Sequence, residues 1–260
     1  MFMFYRSEFY PMDGTVQVYR SQISDEQYQE IKRMTQVLIA SMHEMDYFII
    51  VADNIEDFLN DCRINGIEIE KNFARANRYL LNWLSSFYAW IEYHEKNFKT
   101  LFTDLKKKYY DRSFSYRLAY NLRKYMTHHS LAITEISFDG INEKQSIHII
   151  PANILETENG ALQAGVRREL QKMMANNEHI DAVDLTKSFI KVFKSFQKDI
   201  WRSQEEEIST ALNYLLQFVP LTPPDCYNCA IIASDHTYFP IGRTLKNYTR
   251  KSQCISSYLD

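Results

Sequence analysis

Residues 70–110 read EKNFARANRYLLNWLSSFYAWIEYHEKNFKTLFTDLKKKYY, and the fold turns on how this stretch is read. Phe73, Tyr79, Leu80, Trp83, Leu84, Phe87, Trp90, Ile91, Phe98, Leu101 and Phe102 recur at helical spacing, and neither Gly nor Pro interrupts them. The pattern predicts one long helix over about residues 70–110. In its middle the apolar residues cover more than one face, which places it at the centre of a bundle. The rest of the composition agrees, because 260 residues contain only 6 Gly and 6 Pro, well under the average of about 12% for the two together. Few tight turns can be built from so little, which disfavours an all-β sandwich or a glycine-rich phosphate-binding α/β fold. The expected class is mainly α, a bundle of long antiparallel helices.

Upstream of this stretch, Ser24 and Gln27 form a capping-box pattern. Tyr28, Ile31, Met34, Val37, Leu38, Met42, Met45, Phe48 and Ile49 then keep the helical period, predicting a helix to about Cys62 that can break near Asp53. Residues 1–22 alternate around Thr15 to Tyr19, with Pro11 and Gly14 as punctuation, and read as an extended lead-in. Downstream, Ser113 suits the N-cap of a helix through Phe114, Leu118, Leu122 and Tyr125 that ends at His128-His129-Ser130. Alternation at Leu131–Phe138 and Ser146–Ile150 around Asp139-Gly140 predicts a β-hairpin near 131–150. Pro151 to Gly160 reads as loop. Helices follow at about 161–175 and 182–218, the second stopped by Pro220 and Pro223-Pro224. The tail has a short apolar run, Ala230 to Ala233, and a last helix from about Arg243. Three segments are expected: the lead-in 1–22, a helical domain 23–219 carrying the hairpin, and a C-terminal loop and helix 220–260 packed on that domain.

With 45% apolar residues, 16 Phe, 18 Tyr and 3 Trp, the chain can fill a sizeable core. A net charge of -3 excludes a wholesale basic coat for nucleic acid, but not a local patch. No charge-free apolar run approaches the roughly 20 residues of a membrane span, since His43, Glu44 and Asp46 break Val37 to Ala52. The first residues lack the apolar core and cleavage site of a signal peptide, so no membrane association and a cytoplasmic location are expected. Four cysteines, at 62, 226, 229 and 254, suit a reducing compartment. Cys226 and Cys229 have metal-ligand spacing, and His236 and Cys254 could complete a zinc site; the alternative, taken here, is reduced cysteines and no metal or cofactor. Walker and dinucleotide glycine motifs are absent.

Between Asp104 and Lys124 the cations are Lys106, Lys107, Lys108, Arg112, Arg117, Arg123 and Lys124, against Asp104 and Asp111. Tyr109, Tyr110, Tyr116, Tyr120 and Tyr125 are interleaved with them. Cations for phosphate beside rings that stack on bases are the ingredients of single-stranded RNA recognition. The other reading is a solvated helix junction with amphipathic tyrosines at the core edge. On the last helix Arg243, Lys246, Arg250 and Lys251 share one face, a second RNA contact or a solvated face.

The string ends in Arg123-Lys124-Tyr125-Met126-Thr127-His128-His129. An Arg followed after four or five residues by His, at the end of a helix in a helical chain, resembles the HEPN superfamily. Residues 116–129, YRLAYNLRKYMTHH, have the texture of its motif helix, and residues 77–84, NRYLLNWL, look like the packing partner of that helix. The resemblance covers roughly residues 24–130. It implies a metal-independent endoribonuclease, a toxin or defence effector, whose site is formed by the motifs of two chains in a homodimer, with an antitoxin or partner subunit as a further partner. Lys124 stands where members often carry Asn, Asp or His, and Ser130 stands where members paired with a nucleotidyltransferase antitoxin carry Tyr.

Chemistry makes the same residues eligible. Arg123 and His128 lie about 140° apart on an ideal helix, so one helix does not aim both at one point. Either the helix ends between them or a two-fold mate supplies the facing pair, and the resemblance implies the second. A His can take the 2′-OH proton or protonate the leaving oxygen at cellular pH. A guanidinium forks onto phosphate oxygens. The expected catalytic residues are Arg123 and His128, with His129 as the alternate. Arg117, Asn121, Lys124 and His128 fall on one stripe, and with Lys107, Lys108, Arg112 and Tyr120 they are the candidate RNA and phosphate contacts. The histidines also suit ordinary capping, because a cation at a helix C-terminus meets the negative end of the macrodipole.

Overall fold

A computed structural model of the chain describes residues 2–10, 15–61, 69–139, 144–156, 162–218, 229–232, 238–239 and 241–259. Eight helices among these residues make the fold mainly α, as the periodicity predicts. None of them is long and apolar enough to cross a membrane. The chain divides into two units, Met1–Asp46 with Trp201–Asp260, and Tyr47–Ile200.

In the first unit β1 (Phe2–Tyr10) and β2 (Thr15–Ile23) pair antiparallel from Phe2↔Ile23 to Tyr10↔Thr15. The expected lead-in is therefore a full hairpin. Ser24 then caps α1 (Asp25–Asp61): its Oγ accepts from the Gln27 N–H at 3.1 Å, and the Gln27 side chain accepts from the Ser24 N–H at 3.0 Å. The helix runs through Asp53 without a break, and its apolar stripe buries Ile31, Leu38 and Phe48 completely. Near the other end of the chain, the apolar run at 230–233 supplies β6 (Cys229–Ile232), which joins β1 and carries β7 (Tyr238–Phe239) on its far side in the order β2-β1-β6-β7. The last helix is α8 (Ile241–Leu259), and its Lys251 reaches back to both Asp46 carboxylate oxygens at 2.5 Å.

The second unit is built on α2 (Ile69–Asn97). The single helix expected over 70–110 is two: Phe98 leaves helical geometry at φ -132°, ψ 35°, and α3 (Lys99–Arg112) starts anew. In an unbroken helix His94 and Phe102 would lie about 12 Å apart along the axis, yet their rings stack at 5.1 Å. The turn brings Phe102 onto Trp90 at 5.4 Å, so burial of both rings outweighs the local helical preference. Next comes α4 (Phe114–His128), antiparallel to α2, since Phe87 meets Tyr116 and Asn77 meets Ile133. The expected hairpin forms as β3 (Ile133–Asp139) and β4 (Lys144–Ile149); Gly140 of its turn lies outside the described residues.

Pro151 opens a one-turn helix, α5 (Pro151–Leu155), in place of the expected loop, at the first helical position where its missing N–H costs nothing. A longer helix, α6 (Ala164–Ala175), ends in a Schellman motif. The Glu178 N–H reaches the Met173 carbonyl at 2.9 Å, and Asn177 takes the left-handed conformation at φ 54° that Asn tolerates. A two-residue strand, β5 (Ile180–Asp181), completes a β3-β4-β5 sheet, and Asp181 Oδ1 then caps α7 (Ala182–Leu216) by accepting from Val183 and Asp184. Because α4 returns the chain to the end where α2 began, α7 runs parallel to α2, with Trp83 against Phe189 and Trp90 against Phe196.

Asn77 joins α2 to β3. Its amide donates to the Ile133 carbonyl at 2.9 Å and accepts from the Ile133 N–H at 3.0 Å, with all three groups buried. Asn77→Ala leaves two buried backbone groups unpaired and is expected to cost about 2 to 4 kcal/mol, read from the urea midpoint. A loss within about 0.5 kcal/mol, the range of a surface substitution, would contradict this role.

Candidate functional site

The motif helix α4 is capped as its sequence predicts: Ser113 Oγ accepts from the Tyr116 N–H at 3.2 Å. It ends at His129, whose φ of -128° and ψ of -73° are not helical and whose N–H closes on the Tyr125 carbonyl at 2.8 Å. Tyr116, Leu118, Ala119, Leu122, Tyr125 and Met126 are all buried, so both flanks of the helix face the core. Only a narrow polar stripe remains.

That stripe differs from the expected one. Arg117 forks onto Glu169 at 2.7 and 2.9 Å, and its other terminal nitrogen donates to the Tyr110 and Asp111 carbonyls at 3.0 Å. The guanidinium is engaged by these groups inside the fold. Asn121 is buried; its amide donates to the Arg117 carbonyl and accepts from the Gln163 N–H, holding the start of α6 against α4. Tyr116 is a core ring packed on Phe87 and Phe196. Lys108 is paired with Asp199 at 2.6 Å, an acceptor that the Tyr109 hydroxyl shares at 2.8 Å. Lys107 and Arg112 are exposed on α3.

Three expected residues lie together on the outer face of α4. The Arg123 guanidinium lies 4.2 Å from the centroid of the Tyr88 ring. Lys124 Nζ is 5.7 Å from the centroid of the Tyr120 ring, and Lys106 Nζ is 5.2 Å from it. Tyr88 and Tyr120 are themselves 5.8 Å apart. Tyr88 was invisible to a sequence reading because nothing but the antiparallel packing of α2 on α4 brings it here.

His128 and His129 lie instead at the C-terminal end of α4, in an open cleft of about 550 Å³ lined also by Tyr125, Ser130, Thr134, Asn153 and Glu156. Its floor is tied together by hydrogen bonds: the Tyr125 hydroxyl donates to the Asn153 carbonyl at 3.4 Å, and the Asn153 amide donates to Thr134 Oγ1 at 2.9 Å. The His129 ring stacks on Tyr125 with centroids 6.0 Å apart. Two imidazoles and a carboxylate lining one cleft are groups that can accept and return protons. Asn153 and Glu156 come from α5 and just beyond it, and the signal that could have found them is Pro151 at a helix start. Arg123 does not line this cleft.

Among the described residues no group of three or more His, Cys, Asp or Glu is arranged to hold a metal ion. Cys226 and His236 of the zinc alternative lie outside the described residues, and Cys254 is exposed on α8. No family model matches the chain, and neither the curated proteins nor the solved structures contain a significant match to it.

Burial pushes the phenols of Tyr110, Tyr120 and Tyr125 up from the usual tyrosine range, and that of Tyr116 well above it. A raised phenol favours the neutral folded form, so its contribution to stability is complete below about pH 10 and is lost as pH rises through the folded values. In an alkaline titration followed at 295 nm and by far-UV circular dichroism, the last phenols should ionise only as helix is lost. Complete ionisation near pH 10 with the helices intact would contradict the burial of Tyr116.

Proposed function

We propose that this chain is a metal-independent endoribonuclease of HEPN type, acting as a homodimer in the cytosol. The observation that carries the reading is the solvent-open pair of histidines at the end of the motif helix, with Glu156 lining the same cleft. RNA hydrolysis of this class needs no oxidant and no cofactor. A base removes the 2′-OH proton, the 2′-oxygen attacks phosphorus, the bond to the 5′-oxygen breaks, and an acid protonates that oxygen. The products are a 2′,3′-cyclic phosphate and a 5′-hydroxyl, and DNA is left uncut.

His128 does proton transfer in this reading, with His129 as the alternate, and Arg123 of the two-fold mate carries charge at the phosphorane. A mate is required because Arg123 lies over Tyr88 and not in its own chain's cleft. A toxin or defence role, with an antitoxin or partner subunit restraining the activity, is what the resemblance to HEPN proteins adds. The same position of Arg123 favours a second reading, a helical module that binds RNA or a protein partner without cleaving.

The purified protein, incubated with RNA in chelator, should release fragments with 2′,3′-cyclic phosphate and 5′-hydroxyl ends. His128→Ala and Arg123→Ala should each slow cleavage about 100-fold or more, the contribution of a proton-transfer or charge-stabilising group. Parent-like cleavage by both variants would overturn the residue roles, and 5′-phosphate products would overturn the reaction class. Tight binding of RNA that remains intact would favour the second reading.

A further inference from the structure

The cations of the basic stretch divide into two kinds. Arg117 and Lys108 are neutralised, by Glu169 and Asp199. Arg123 and Lys124 have no carboxylate partner among the described residues, and Arg123 Nε is buried there without a hydrogen-bond acceptor. Both lie over tyrosine rings, as the neutralised Lys108 does over Tyr109, and Lys106, which also reaches Glu95 at 2.5 Å, lies over the same ring as Lys124. Cation–π contacts of significant strength occur about once per 70 to 80 residues. Three of them fall on two adjoining rings, Tyr88 and Tyr120.

Tyr88 and Tyr120 are half-buried, with their inner edges held by the packing of α2 on α4 and by the edge of Tyr110 at 6.4 Å from Tyr120. Held rings beside unneutralised cations are what sequence-tolerant binding of unpaired bases requires: the ring takes the base and the cation takes the adjacent phosphate. A duplex would withhold its bases from such a surface. Tyr120, Lys124 and His128 follow one another at intervals of four residues on α4, so each step along the stripe is about 6 Å. A strand whose bases lie on the tyrosines therefore runs toward the histidine cleft.

We propose that the Tyr88–Tyr120 face, with Lys106, Lys124 and Arg123, is a binding platform for single-stranded RNA. It rests on the reading of this protein as one that acts on RNA, and names where the strand lies. The platform excludes Arg117 and Asn121, which the fold uses internally.

The test is fluorescence anisotropy of a labelled 12-nucleotide single-stranded RNA on the full chain, with His128→Ala present in every variant to prevent cleavage. Tyr120→Leu keeps apolar bulk and removes the stacking face, and should raise Kd by at least about fivefold. Lys124→Gln, at a half-buried position and keeping the length of the side chain, should weaken binding and lower the salt slope by about one while leaving the urea midpoint within about 0.5 kcal/mol of the reference. Lys191→Gln, an exposed cation elsewhere, should match the reference. Parent-like affinity and salt slope in both platform variants would overturn the proposal, as would equal binding of a blunt duplex RNA of the same length. If the platform variants lose affinity while the parent never cleaves RNA, the platform stands and the ribonuclease reading fails.

Discussion

The indole N–H of Trp90 sits in a completely buried nest of rings and, unlike that of the equally buried Trp83, finds an acceptor there. Phe87, Phe102, Phe193 and Phe196 surround it, and none can accept a strong hydrogen bond. Gln197 Oε1 does so at 2.8 Å. Leaving that donor unpaired would cost about 1 to 3 kcal/mol, so the bond sets the register of α7 against α2. Once α7 is set, Phe196 is placed to receive Tyr109 of α3, stacked at 4.6 Å, and Tyr116 of α4 at 6.0 Å. Less than a turn further on, Asp199 then meets Lys108. The motif helix thus takes its position from a hydrogen bond with which it has no direct contact.

That position has a consequence for chemistry. A helix buried on two flanks has few residues left for solvent, and α4 spends two of its polar ones internally, Arg117 on Glu169 and Asn121 on the start of α6. What remains is divided between two places, with Tyr120, Arg123 and Lys124 on the side and His128 and His129 at the end. The division follows from helical geometry, because Arg123 and His128 diverge by about 140°. In this structure the two are not brought to one place within a single chain.

Much of the fold was legible because helices announce themselves by period and cap. The Ser24–Gln27 box and the Ser113 cap form as written, and α1, α4, α6 and α7 begin and end close to where the pattern places them. The break at Phe98 was not legible. Nothing in the local sequence stops a helix there, and only the attraction of Phe102 for Trp90 and His94, across the turn, explains it. The strand β5 was too short for alternation to register, and the β1–β2 hairpin needed its partner β6 from the far end of the chain. For the site, residue types were legible and commitments were not. Arg117 and Lys124 read alike in sequence, yet an acid 52 residues away, Glu169, neutralises one of them. Sequence spacing along one helix carries no information about which neighbour arrives opposite it.

The shortage of glycine constrains how such a protein can hold an anion. Loops that cradle phosphate with backbone N–H groups need residues free to adopt unusual backbone angles, and this chain has 6 glycines in all. The N-terminus of α4 offers no substitute, since Ser113 already accepts from one of its free N–H groups. In the proposed function phosphate recognition therefore falls to side chains, and long cationic side chains lose about 2 kcal/mol of rotamer entropy when fixed. A cation already resting on a tyrosine face has lost part of that freedom before a ligand arrives, so less remains to be lost on binding. The rings beside Arg123, Lys124 and Lys106 thus serve the cations as well as any base that stacks on them, and they do so because the core holds their inner edges still.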